Sequence, residues 1–106
     1  MTQKQSSFTS KQKQYIRDEV TRLLDRTITM HFERDSSSYV VPQRLSKREI
    51  WEKLREPKPD LLDIVLDEML EDKTLIKHYN SGKGAGGPYF LFSLSSVEDH
   101  LLKGLL

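Results

Sequence analysis

The chain has 106 residues, a formal net charge of +1 and no cysteine, which allows one domain with a single modest core. The small net charge exerts no global pull toward nucleic acid or membrane, and the missing cysteine excludes disulfide frameworks, thiolate metal sites and thiol nucleophiles. No apolar run reaches the length of a membrane span, and the opening MTQKQSSFTSKQKQ lacks the apolar stretch of a secretory signal, so the expectation is a soluble intracellular protein with no membrane partner.

Residues 1–8 are polar and rich in Gln, Ser and Lys, the composition of a flexible N-terminal tail. Thr9 or Ser10 can cap a first helix running to about Arg26, with Ile16, Val20, Leu23 and Leu24 on one stripe and Tyr15 beside it. In TITMHFERDSSSYVV, Ile28, Met30 and Phe32 alternate with Thr27, Thr29 and His31, a period of two. RDSSS reads as a turn and Tyr39–Val41 as extended chain. Two arrangements of residues 27–43 satisfy that pattern: a hairpin, or a helix end followed by a loop and one short strand. On grounds of topology the second is expected.

Ser46 opens SKREIWEKLRE with Glu49 three residues later, a capping box for a second helix whose Ile50 and Leu54 face inward. Trp51 suits the core or its edge better than a partner anchor. Pro57 and Pro59 end that helix, and Pro59 leads into the first turn of a third. There, in PDLLDIVLDEMLEDKTL, Leu62, Val65, Leu66, Met69 and Leu70 recur at helical spacing, while Asp60, Asp63, Asp67, Glu68 and Glu71 take the other side. LIKHYNS and PYFLFSL are extended runs joined by GKGAGG, a hairpin with a flexible tip. Ser96 to Asp99 repeats the capping pattern and starts an amphipathic C-terminal helix, SVEDHLLKGLL.

Charge is spread unevenly over these elements. Residues 1–58 carry 13 Lys and Arg against 8 Asp and Glu, whereas residues 59–72 carry six acids and no base. Such a two-sided molecule suits orientation on a partner, although ordinary solvated surfaces share the pattern. Motifs for catalysis or cofactors are lacking. GKGAGG lies between strands and no hydroxyl follows Lys83, unlike a phosphate-binding Walker loop. His31, His78 and His100 stand apart from metal-ligand spacings, and the serines sit in turns and caps. The expectation is a protein without enzymatic activity, metal or cofactor.

The stretch LSKREIWEKLREPKPDLLDIVLDEMLEDKTLIKHYNSGKGAGGPYFLFSL, about half the chain, resembles the winged-helix (winged helix-turn-helix) family. VLDEMLEDKTLIKHY is similar to that family's run from third helix into first wing strand, and GGPYFLFSL to its returning strand. The resemblance implies an α+β, mainly helical fold: a winged-helix domain over residues 9–94, with three helices and a β-hairpin wing, and an added C-terminal helix over residues 95–106. It also implies double-stranded DNA as partner, with the third helix in the major groove and the wing on backbone or minor groove.

The carboxylates argue against inserting this third helix. One placed about 4 Å from a phosphate is repelled by roughly 1 kcal/mol in water and about 4 kcal/mol at an effective dielectric of 20. Basic residues cluster elsewhere, on or after the second helix and on the hairpin. Lys47, Arg48, Lys58, Lys77 and Lys83 would then form a phosphate-contacting track, which positions a protein without reading sequence. The expected function is a small transcriptional or mobile-element regulator, cytoplasmic or nucleoid-associated. The alternative is an interaction module in which Asp60, Asp63, Asp67, Glu68 and Glu71 dock a basic protein partner. Leu101, Leu102, Leu105 and Leu106 exceed what a short terminal helix needs for docking. With Ile16, Val20 and Leu23 they would form a homodimer face, the alternative being packing within their own chain.

Overall fold

A computed structural model describes residues 8–80 and 89–104. In chain order the elements are α1 (Ser10–Leu24), β1 (Thr27–His31), β2 (Ser38–Pro42), α2 (Lys47–Lys53), α3 (Pro59–Glu71), β3 (Leu75–Asn80), β4 (Tyr89–Leu94) and α4 (Ser95–Gly104). The architecture is α+β, with two antiparallel two-stranded sheets, β1–β2 and β3–β4. Leu45 forms an isolated antiparallel bridge to Phe92, each amide donating to the other's carbonyl at 3.1 and 2.7 Å. That bridge extends the β3–β4 sheet by a single residue on its β4 side. No described helix is long and apolar enough to cross a membrane.

Local chemistry accounts for the helix starts. Thr9 caps α1 through a reciprocal box with Gln12, and Ser46 caps α2 in the same way with Glu49; each box satisfies two amides that lack helical partners. α3 starts differently. Its N-cap is Lys58, which makes no side-chain capping bond, and Pro59 supplies a first-turn φ without an amide to satisfy.

The core lies between α1, α3 and the β3–β4 sheet. Val20 and Leu24 of α1, Ile50 of α2, Leu62, Val65 and Met69 of α3, and Leu75, Phe92 and Leu94 of the sheet are buried together. Each such aliphatic side chain contributes roughly 1.5–3 kcal/mol relative to an exposed one. Phe8, which composition assigns to the tail, packs partly buried against this core.

Two expectations are corrected. Residues 27–42 form a hairpin, with Thr27 opposite Pro42 and His31 opposite Ser38, rather than a loop and one strand. The turn decides it. The Asp35 carboxylate accepts from the Ser37 amide at 3.0 Å and the Ser37 hydroxyl at 2.6 Å, Ser36 sits at φ 57°, and the Phe32 amide donates to the Ser37 carbonyl. This Asx-type turn brings the alternating run of β1 against β2. Second, α4 starts at Ser95, so Ser96 lies inside the helix and not at its cap. The Ser95 hydroxyl donates to the Lys73 carbonyl at 2.6 Å and its amide to the Thr74 carbonyl at 3.0 Å, pinning the start of α4 to the end of α3.

Candidate functional site

An open cleft of about 810 Å³ runs between the start of α2, the exposed side of α3 and the β3–β4 sheet. Lys47 and Arg48 enter it from α2, Lys77 from β3, Tyr89, Phe90 and Phe92 from β4, and Asp63 and Asp67 from α3. Three of the five expected phosphate contacts therefore meet on one concave surface. Lys58 caps α3 and is not part of that lining, and Lys83 falls outside the described residues.

Strand register explains the aromatic wall. Lys77 faces Phe92 across the sheet and Tyr79 faces Phe90, so all four side chains share one face. At its base that face is buried by Leu75, Phe92 and Leu94; farther out it is open. Tyr79 is 66% exposed and Phe90 45%. Their rings meet edge to face at 5.5 Å, and the Lys77 ammonium lies 4.3 Å from the Phe90 ring centre. Sequence reading gave Lys77 as a site residue and missed Tyr79, Tyr89 and Phe90. The alternation of the two runs, once paired in this register, would have put Tyr79 and Phe90 beside it; Tyr89, opposite Asn80, falls on the alternate position.

The carboxylates of α3 are mostly spoken for. Glu68 pairs with Lys13 of α1 at 3.0 Å, Asp63 with Lys47 at 2.8 Å, and Asp72 just after the helix with Arg17. The acid row is in part the counter-charge that docks α1 and α2 on α3. Asp67 and Glu71 are exposed and form no ion pair among the described residues. Arg48 is also engaged, with Glu52 at 3.3 Å one helical turn away. Exposed pairs of this kind contribute about 0–1 kcal/mol, so a stronger anion can displace them.

A second polar cluster joins α4 to the sheet. Arg44 grips Glu98 with two bonds of 3.0 Å. The buried Ser93 hydroxyl donates to the same carboxylate at 2.5 Å, and His78 Nε2 lies 2.8 Å from Ser93 and 3.1 Å from Glu98. Burial pushes the Glu98 carboxyl up, but the Arg44 and Ser93 hydrogen bonds outweigh it and its pKa lies below the ordinary value. Serine, histidine and glutamate meet here, yet the arrangement does not build a nucleophile. A relay needs acid and hydroxyl on opposite ring nitrogens; here both sit on Nε2, and the serine is closed to solvent. The sequence gave no sign of this grouping, whose members come from three separate segments. No described group of three or more His, Asp or Glu is arranged to hold a metal ion.

The expected dimer face is largely consumed. Ile16 and Val20 are 4% and 0% exposed inside the chain's own core, and Leu23 and Leu101 pack partly buried against it. A core side chain cannot also be covered by a second copy, which corrects the assignment of Ile16 and Val20. Leu102 remains 61% exposed, and Leu105 and Leu106 lie outside the described residues. No family model matches the chain, and neither does any curated protein or solved structure.

Proposed function

We propose that this is a winged-helix domain that binds nucleic acid through its phosphate backbone, using the cleft between α2 and the β3–β4 hairpin rather than inserting α3. The order of α1, the Leu45 edge, α2, α3, β3 and β4 supports the fold reading. One observation carries the functional reading: Lys47, Arg48 and Lys77, which arise some 30 residues apart on two elements, line a single cleft. Phosphates entering there meet Lys47 and Arg48, held in exposed ion pairs, on its α2 side and Lys77 on the sheet. Lys83, expected from the sequence to join the same track, lies outside the described residues. The proposal extends to a regulatory role in transcription or in a mobile element.

The test is a titration of the full chain with duplex and single-stranded DNA at low and high salt. Each phosphate neutralised releases counterions, with a log–log slope near −0.9 on B-DNA and about −0.7 on single strands. Lys77→Ala with Lys83→Ala is expected to weaken binding to all sequences alike and to flatten that slope. Asp63→Asn is expected to tighten binding, because it frees Lys47 and removes a carboxylate from the cleft. Absence of binding to either form at low salt overturns the proposal.

A basic protein partner is the second reading, favoured by the exposed carboxylates of Asp67 and Glu71. Lysine at both positions would abolish that docking while strengthening attraction to nucleic acid, so the two readings move in opposite directions. Among the described residues of α4, Leu102 is the leucine exposed to a second copy in the homodimer reading.

A further inference from the structure

We infer that the β3–β4 face is a stacking platform for unpaired bases, so that the preferred ligand is single-stranded nucleic acid rather than a duplex. The inference rests on the nucleic-acid reading above and specifies the form of the ligand.

Three observations lead to it. First, Tyr79 and Phe90 stand next to each other on the open part of one sheet face, 66% and 45% exposed. An exposed aromatic pair on a strand face offers flat surface to a base, and stacking tolerates any base because every base has a π-face. Second, a cation is built into the platform: the Lys77 ammonium lies 4.3 Å from the Phe90 ring centre. A contact so exposed is weak. An arriving base can take the ring face while the ammonium swings to the phosphate of the same nucleotide. Lys47 and Arg48, on the opposite wall of the cleft, lie in reach of the continuing backbone.

Third, the charge pattern selects against a duplex. Asp63 and Asp67 line the same cleft, and Glu71 is exposed one turn farther along α3. A duplex carries phosphates on two strands, about one charge per 1.7 Å of axis, and hides its base faces. Entering the cleft, it would meet the carboxylates with its densest charge and leave Tyr79 and Phe90 uncovered. A single strand has a lower charge density and turns its bases toward the rings. Charge complementarity and aromatic exposure thus favour the same occupant.

The experiment is fluorescence anisotropy of the full chain with a labelled oligothymidylate and with a labelled duplex at matched salt. The oligothymidylate is expected to bind more tightly. Tyr79→Ala with Phe90→Ala is expected to weaken that binding by about 5- to 150-fold, the range of one lost stacked base, and to weaken duplex binding less. Tyr79→Trp is expected to keep the affinity and to show quenched indole emission on binding. Both positions are solvent-facing, and a thermal melt of each variant verifies folding. Duplex binding as tight as oligothymidylate binding, or full affinity in the doubly substituted chain, overturns the stacking inference and leaves the nucleic-acid proposal standing. Failure of both ligands to bind at low salt overturns both.

Discussion

Asp72 shows how one carboxylate can serve several neighbours at once. The Thr74 hydroxyl donates to it at 2.6 Å, Arg17 reaches it from α1, and the Thr74 amide adds a third bond at 3.0 Å. Together, in that order of importance, they hold its pKa at about 2 against an ordinary value of 3.8. A carboxyl whose pKa is depressed by folding stabilises the native state above its unfolded pKa, and that contribution fades as pH falls through the folded one. The window here runs from just above 3.8 down to about 2. The group is solvent-facing, so the effect is screened by salt. Urea midpoints of the wild-type chain are expected to fall across that window. In Asp72→Asn, which keeps an acceptor for Thr74 but cannot titrate, they are expected to fall less. Equal slopes for the two proteins would show that other carboxylates carry the acid sensitivity.

The ends of α2 and α3 repeat one device. Beyond the C-cap of α2, the Arg55 amide donates to the Glu52 carbonyl and the Glu56 amide to the Trp51 carbonyl. Beyond that of α3, the Lys73 amide donates to Leu70 and the Thr74 amide to Met69. Both are Schellman closures, in which the residue after the cap turns left-handed and glycine is the favoured occupant. Arg55 and Lys73 hold φ of 66° and 71° instead. A Cβ in that region costs about 1–2 kcal/mol, partly offset by the greater unfolded-state freedom of glycine. Lys73→Gly is therefore expected to stabilise the chain by about 0.5–1 kcal/mol, measured by denaturant unfolding; a loss of stability would mean that the lysine side chain contributes more than its backbone costs. Three helix starts were legible in the sequence because they depend on neighbours: Thr9 or Ser10 as a cap, Ser46 with Glu49, Pro59 at a first turn. That of α4 was not, because Ser95 is held by the distant Lys73 and Thr74 carbonyls. The β1–β2 hairpin was not, because period-two alternation fits a lone strand equally well and the decision rested on Asp35 and Ser37. The acidic face of α3 could be read as charge, but not what it pairs with. Lys13 and Glu68, like Arg17 and Asp72, are 55 residues apart in the chain. The same holds for the cleft: its lysines were visible, whereas the Tyr79–Phe90 pair needed the register of β3 on β4.

At the scale of the whole molecule, burial is unequal between the two sheets. β3 and β4 bury Leu75, Phe92, Ser93 and Leu94, and the Arg44–Glu98–Ser93–His78 cluster ties α4 across them. No residue of β1 or β2 is buried. Ile28, Met30, Phe32 and Tyr39 lie 40–50% exposed on one face, with Phe32 stacked on Tyr39 at 5.0 Å. Beyond the strands, the Gln43 amide fastens the hairpin base to the Arg26 carbonyl. A two-stranded ribbon with so little apolar cover is marginal in water. Two levels of cooperativity are therefore expected of the molecule. Local opening costs range from near zero in thinly packed elements to the full unfolding free energy in the core. Backbone amides of residues 27–42 are expected to exchange with deuterium well before those of α3 and β4, with protection little altered by substitutions that weaken the core. Uniform protection across both sheets would mean that the ribbon unfolds only with the whole. If the ribbon opens alone, α1 is joined to α2 by a pliable loop, and its hold on α3 rests on Ile16, Val20, Leu24 and the ion pairs of Lys13 and Arg17. The first helix is then held by its own core packing and ion pairs, and not by the ribbon that follows it.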